Sequence, residues 1–441
     1  MRGEIKEIFI YGAKEQMEYT KLSSAELNEI KTELDKEYAE LKSKKLNLNM
    51  ARGILAKEQL DLTQDMLSVL KTKEDCVTEV GTDCRNYGLL DGIPGAKRLF
   101  SEILGIPADC LIIGGNSSLN LMYDTIARNM IFGVEEEGST PWAAQGKIKF
   151  LCPAPGYDRH FSITQRMGME LITVDMKEDG PDMDQIEKLV SEDESIKGIW
   201  CVPKYSNPTG VIFSDEVITR FAKLAPKAKD FRIFWDDAYT IHFLYDNLAT
   251  QLNLLEEAKK YGNENMVYIF TSTSKISFPG SGVSVIASSK HNIEAIKKQM
   301  SVQTIGHDKL NQMRHVKFFK TKEGVLEQMK RHAEIIAPKF KLVDEIFERE
   351  LTGLGIAKWS KPEGGYFISL DTMDGTAKRV YEMMCDLGVN LTPAGATFPY
   401  GKDPRDSNLR IAPTFPPLNE LEQACEALCL CVKLAAIEKL A

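Results

Sequence analysis

The sequence predicts an α/β fold: a mostly parallel, seven-stranded sheet sandwiched by helices, with a smaller α+β domain drawn from both termini. Three observations carry this reading. Between about residues 100 and 290, runs of strand length alternate with helical patterns, the rhythm of strands joined by crossover helices. Those runs are apolar throughout rather than at every second position, as in strands buried on both faces. Beyond residue 320 the rhythm changes to long helices followed by short strands.

Taken in order, residues 21–45, "KLSSAELNEIKTELDKEYAELKSKK", have the charge and spacing of an exposed amphipathic helix that Ser23 or Ser24 can cap. The strand candidates are "CLIIGG", "IKFLCPAP", "ELITVDM", "GIWCVPK", "RIFWDDA", "VYIFTS" and "VSVIASS". Helical stretches lie between most of them, notably "SSLNLMYDTIARNMIF", "MDQIEKLVSEDE" and "DEVITRFAKLA". Long helices in "KEGVLEQMKRHAEIIAPKFKLVDEIFERELTG" then lead to the short strands of "GGYFISL" and "NLRIAP". The expected division is 1–86 (N-terminal helix and part of the small domain), 87–318 (large domain) and 319–441 (C-terminal small domain). A chain of 441 residues exceeds one simple core.

Formal net charge is −9, which disfavours an electrostatic grip on nucleic acid or an anionic membrane. No apolar run approaches membrane-spanning length. The first residues, "MRGEIKEIFIYGAKEQ", lack a sustained apolar region and a cleavage site, so no signal peptide is expected. The nine cysteines form no CxxC pair, and the six histidines show no zinc-type spacing. Cys425, Cys429 and Cys431 fall in an apolar-faced helical segment, where thiols act as small hydrophobes. The expectation is a cytoplasmic protein with reduced thiols and no metal site.

In open parallel sheets, ligands collect beyond the carboxyl ends of the strands. One residue there is out of character. Lys275, in "VYIFTSTSKISFPGSGVSVIASS", stands between two core strands with no acidic residue within ten positions. An ammonium group in such surroundings has a depressed pKa and becomes a nucleophile. Gly115, Asn116 and Ser117 form a strand–turn–helix start suited to a phosphate, or simply a helix cap. Tyr157 follows Pro-Gly at a strand end, where its ring can stack on a flat ligand or join the core. Asn207, in "NPTG", offers an amide to a ring substituent, or only makes a turn. Asp236, in "FWDDAY", is the acid that a protonated ring nitrogen requires, and Tyr239 follows three residues later. Phosphate donors, a stacking ring, an amide, an acid and a desolvated lysine together describe a site for pyridoxal 5'-phosphate.

At these residues the sequence resembles the fold-type I pyridoxal-phosphate enzymes, specifically class I/II aminotransferases. The matching pieces run from about residue 87 to 413: "YGLLDGIPGAKRLF", "GGNSSL", "APGYDRHF", "SNPTG", "DDAY", "STSK" and "LRIAP". "ARG…EQLDL", "TIGHDKLNQMRH" and "TSTSKISFPGSGVS" are similar to the MocR-like group that includes subgroup Ic aspartate aminotransferases. The resemblance implies that Lys275 holds the cofactor covalently and then shuttles a proton. It implies that Asp236 pairs with the pyridine nitrogen, that Asn207 and Tyr239 bond the phenolic oxygen, and that Tyr157 stacks on the ring. Gly115, Asn116, Ser117 and Ser272 match the phosphate cradle, with Asn207 also at the substrate. Tyr87 matches a tyrosine that reaches the neighbouring subunit's cofactor, implying a homodimer with shared active sites. Arg410 matches the arginine that grips the substrate α-carboxylate.

One departure stands out. Gly282, in "FPGSGVS", falls where many relatives place a phosphate-binding arginine, so the phosphate must lean more on hydroxyls, the helix N-terminus or another cation. The implied activity is transfer of an amino group between an acidic amino acid, aspartate above all, and a 2-oxo acid such as 2-oxoglutarate, in a ping-pong sequence. Its second carboxylate needs another cation, for which Arg52 and Lys309 are the candidates, Arg52 first. A pyridoxal-phosphate lyase or decarboxylase is the alternative within the same chemistry. A ligand-sensing MocR-type regulator is disfavoured, because only about 85 residues, not basic enough for a DNA reader, precede the Tyr87 motif.

Overall fold

The computed structural model describes residues 17–134, 138–245 and 247–441. The stretch read for a signal peptide, residues 1–16, lies outside them. Strand β1 (Leu48–Asn49) stands apart from the main sheet. That sheet is built from β2 (Leu111–Ile113), β3 (Lys149–Ala154), β4 (Glu170–Lys177), β5 (Gly180–Pro181), β6 (Ile196–Cys201), β7 (Arg232–Asp236), β8 (Val267–Ser272) and β9 (Ser284–Ser288). Its order is β2-β9-β8-β7-β6-β3-β4-β5. All seven expected runs are strands of it. The eighth, β5, is a two-residue edge antiparallel to β4, too short to leave a pattern in sequence.

Strands β3, β4, β6, β7 and β8 pair in parallel. The sheet is nevertheless mixed, because β9 is antiparallel to both β8 and β2. The reason is the length of the β8–β9 connection, residues 273–283. A parallel return needs a crossover element, and this segment is a tight loop instead. Lys275 sits in that loop.

Strands β2, β6, β7, β8 and β9 are buried at every residue, so both faces of the sheet are covered. Alternation along the strands splits the core in two. Ile199, Ile233, Trp235 and Ile269 pack on one side, and Phe150, Trp200, Phe234 and Phe270 on the other. Each such side chain contributes about 1.5–3 kcal/mol by leaving water.

The remaining strands are β10 (Ala357–Trp359), β11 (Ile368–Thr372), β12 (Val389–Asn390) and β13 (Asn408–Ile411). β10, β11 and β13 form an antiparallel sheet, and β12 pairs in parallel with β1, Leu48 opposite Val389. The smaller lobe therefore joins both ends of the chain. Helix Ser24–Ser43 opens on a capping box: the Glu26 N–H donates to Ser23 Oγ, and the Ser23 N–H donates to the Glu26 carboxylate at 2.8 Å. Its Leu27 and Leu34 share a core with Val343, Phe347, Leu428 and Val432. The long helical stretch is one helix, Lys322–Leu351, continuous through Pro338. Helix Leu418–Leu440 is buried on more than one face, with Cys425, Cys429 and Cys431 all in the core.

Candidate active site

A cleft of about 410 Å³ opens beyond the carboxyl ends of β3, β6, β7 and β8. The end of β7 brings Asp236 to its wall, and the segments after β3, β6 and β8 bring Tyr157, Asn207 and Lys275. Lys275 is packed against aromatic faces, its Nζ 5.0 Å from the ring centroid of Tyr239 and 5.8 Å from that of Tyr366. Burial pushes its pKa down, the Asp236 carboxylate pulls it back up, and Arg410 adds to the depression. The acid missing from its sequence neighbourhood is supplied in space by the adjacent strand, β7.

Asp236 ends β7 and is only 3% exposed. Its Oδ2 accepts from His160 Nε2 at 2.9 Å, and His160 stacks on Trp200 with centroids 4.5 Å apart and planes at 11°. Its other oxygen, Oδ1, is buried with no hydrogen-bond partner among the described residues. A buried carboxylate oxygen left unbonded is costly. It is the acceptor that a protonated ring nitrogen would satisfy. Tyr157 sits at the N-cap of helix Asp158–Arg166, edge-on to His160. Its hydroxyl pKa is pushed up to about 12 by burial and by the charge of Asp236. Tyr239 is buried beneath Lys275, with its pKa raised by burial. His242 lies edge-on to both Tyr239 and Tyr366, and burial keeps it neutral.

Arg410 comes from β13, in the other lobe, and is buried. Its Nη1 donates to Asp158 Oδ1 at 2.8 Å and to Asn207 Oδ1 at 3.4 Å. Its Nε and Nη2 donate to Thr392 Oγ1 at 3.3 and 3.2 Å. The guanidinium lies 4.9 Å from the Phe367 ring centroid. It is a fork fixed in plane, with three elements holding it.

The opposite end of the cleft is lined by Asn116, Ser117, Ser272 and, unforeseen from sequence, Ser118 and Ser274. Ser117 caps helix Ser118–Phe132, its Oγ accepting from the Leu119 N–H at 3.2 Å. Gly115 stands just before it, its carbonyl accepting from the Ser284 N–H and Oγ–H. Ser274 Oγ donates to the Asn116 carbonyl at 3.2 Å. Gly282 explains its own departure from the family pattern. A Cβ there would stand 3.0 Å from the Asn116 carbonyl oxygen and 3.2 Å from Thr273 Oγ1. A side chain there would need its neighbours to give way by a few tenths of an ångström, and the residues that line this end of the cleft offer hydroxyls and N–H groups.

Arg52 lines the cleft, and so does Arg159, which sequence reasoning missed. Both are exposed, and neither side chain has a hydrogen-bond or ion-pair partner among the described residues. Lys309 lies outside this cleft, buried at the first position of helix Lys309–Phe319. Tyr87 also lies outside it and is 80% exposed. His160 and Asp158 went unread because their partners, Asp236 and Arg410, are 76 and 252 positions away.

Residues 22–441 match the sequence model of the aspartate amino-transferase family. The chain belongs to this family. It is a pyridoxal-phosphate-dependent aminotransferase, and the unbonded Asp236 oxygen and the hydroxyl cradle fit that cofactor. A relative in Mycolicibacterium smegmatis is 48% identical over 404 residues, spanning 91% of this chain and 94% of its own. The aspartate aminotransferase of Corynebacterium glutamicum is 42% identical over 428 residues, 95% of this chain and 98% of that one. The crystal structure of an aspartate transaminase from the same species superposes with a TM-score of 0.94, covering 97% of this chain and all of that one at 42% identity. Among the described residues, no helix of this aminotransferase is long and apolar enough to cross a membrane.

Proposed function

We propose that this aminotransferase takes an acidic amino acid, aspartate first, and passes its amino group to 2-oxoglutarate in two ping-pong half-reactions. One observation carries the choice of substrate: the division of labour among the cations of the cleft. Arg410 is buried and oriented for one carboxylate. Arg52 and Arg159 line the same cleft with no partner among the described residues, which leaves a second carboxylate somewhere to bind. Kinship with an aspartate aminotransferase at 42% identity supports the same reading, as does the similarity of "ARG…EQLDL" to the subgroup Ic enzymes.

When bound, pyridoxal 5'-phosphate supplies an electron sink that lets a bond to the amino acid's Cα give up its electrons. The residues of the chain do the rest. Asp236 would hold a proton on the ring nitrogen through Oδ1, while His160 keeps its Oδ2 in place. Asn116, Ser117, Ser272 and Ser274 would hold the phosphate, with Gly115 allowing close approach. Asn207 and Tyr239 would bond the phenolic oxygen, and Tyr157 would cover the ring and exclude water. Lys275 Nζ, depressed by burial, would hold the aldehyde carbon and move the proton. Arg410 binds the α-carboxylate as a fork, its plane fixed by Thr392 and Asp158.

In this reading residues 87–318 form the cofactor-binding domain, and segments 1–86 and 319–441 form the small domain. The protein is a homodimer, in which Tyr87 reaches the neighbouring cofactor and Lys309 faces the neighbouring cleft. A cytoplasmic location suits its free cysteines. The deciding experiment mixes the holoenzyme with single amino acids and follows cofactor absorbance. Aspartate and glutamate should convert it to the pyridoxamine form, and alanine should do so far more slowly. Equal rates for all three would reject the acidic-substrate assignment. A fully active monomer in sedimentation would reject the shared site.

A further inference from the structure

Behind Lys275, on the side away from the cleft, lies a buried polar chain that the reaction described above does not use. Its centre is Gln59, in the short helix Lys57–Asp61, completely buried. This helix follows directly on the segment that carries Arg52 to the cleft. Gln59 Oε1 accepts from the Ala56 N–H at 3.0 Å. Its Nε2 lies 2.9 Å from His332 Nδ1 and 3.0 Å from Tyr366 Oη. His332, also fully buried, places Nε2 3.1 Å from the carbonyl of Ile276, the residue after Lys275. The Gln328 amide approaches the same nitrogen at a longer 3.3 Å.

The shorter contact sets the tautomer. The Ile276 carbonyl can only accept, so His332 Nε2 carries the hydrogen and donates to it rather than accepting from Gln328 Nε2, and Nδ1 is the acceptor. Gln59 Nε2 then donates one N–H to His332 and the other to Tyr366, while its oxygen is taken by Ala56. Burial keeps His332 neutral, with its pKa pushed down to about 4, in keeping with a single tautomer. Both ends of the chain come close to Lys275. One end bonds the carbonyl of the next residue, Ile276. The other holds Tyr366, whose ring stacks beside that of Tyr239 against the ammonium group.

We propose that Gln59 is a positioning residue for Lys275, setting through His332 and Tyr366 where the Lys275 amine stands, and that it ties this placement to the docking of the Arg52 segment. A glutamine serving only as core would need no such pairing of partners from two distant parts of the chain. The proposal rests on Lys275 being the reactive amine. The ionisable groups facing that amine are Asp236, Arg410, His242, Tyr239 and Tyr366.

The test is Gln59→Leu in the holoenzyme, with Tyr366→Phe as a milder second variant that keeps the ring and loses only the hydroxyl. In Gln59→Leu, kcat should fall about tenfold to a hundredfold, the scale of a misplaced catalytic group. KM for the amino donor should change much less. The pH midpoint of the lysine-linked cofactor absorbance should move. In the cofactor-free protein, the rate of Lys275 acylation at fixed pH, read by peptide mass spectrometry, should change as well. Tyr366→Phe should move the same quantities in the same direction by less. If Gln59→Leu folds but leaves kcat, midpoint and acylation rate at wild-type values, the proposal is wrong. If it does not fold, Tyr366→Phe decides by the same criteria. Should wild type show no absorbance change with any amino acid, transamination itself fails, and the acylation rates of the cofactor-free proteins still judge Gln59.

Discussion

The inner wall of the cleft and its rim treat charge in opposite ways. On the inner wall, Asp236 and Arg410 are buried and Lys275 is half-buried, and each meets groups from distant parts of the chain. On the rim, Arg52 and Arg159 are exposed and have no partner among the described residues. Buried charges interact in a low-dielectric medium and keep one geometry, while exposed ones are screened by salt and move freely. On the proposed function, the wall is prepared for one chemistry in advance and the rim selects among substrates that share it.

The largest test of this contrast strikes the wall. Lys275→Ala should lower turnover by on the order of a thousandfold or more, since it removes covalent and proton-transfer roles together. It should also abolish the lysine-linked absorbance while the far-ultraviolet circular dichroism stays native. Near-normal turnover would unseat Lys275.

Next is Arg410→Ala, which strips the half-buried Asp158 of its partner as well as removing the proposed, buried substrate fork. Its kcat/KM should fall by about 3–5 kcal/mol, the range for breaking a buried pair. Aspartate and alanine should suffer alike, with little dependence on ionic strength. A loss confined to aspartate would reverse the assignment of wall and rim.

The rim variant Arg52→Ala should cost about 1.5–3 kcal/mol for aspartate, roughly ten- to a hundredfold, through a raised KM. Alanine should be nearly unaffected, and the loss should shrink as salt is added. If Arg52→Ala is silent, Lys309→Ala takes its place. If both treat aspartate and alanine alike, the rim does not select acidic substrates.

The last test concerns acid. Burial pushes His315 and His332, which bond the Lys275 loop, down to about 4 from an ordinary 6.5. Between those values the unfolded chain binds more protons than the folded one, so stability falls as pH drops from about 6.5 towards 4 and is complete above that window. Each histidine contributes a slope of up to about 1.4 kcal/mol per pH unit. Urea unfolding across that range should show it, and His315→Asn should flatten it. A pH-independent stability would show that neither histidine is buried neutral.

Much of the fold was legible because the strands are covered on both faces and read as unbroken apolar runs. Lys275 stood out for the same reason, as a charge set between two of them. The parts that were not legible have specific causes. A two-residue strand such as β5 has no period. Asp158 and Arg159 look like ordinary first-turn residues of a helix, and Gln59 looks like a solvated polar residue in "KEQLDL". The tight surroundings of Gly282 could not be derived either, since only packing brings the Asn116 carbonyl within 3.0 Å of where a Cβ would stand.

By itself the sequence determined what local physics governs: which segments are buried, where helices begin, and which polar groups stand at strand ends facing the cleft. Tertiary structure alone decided which charges meet. Asp236 answers for Lys275, Asp158 for Arg410 and His332 for Ile276, across 39, 252 and 56 positions of chain. Coulomb attraction and hydrogen bonding depend on separation in space, and folding makes that separation independent of distance along the chain.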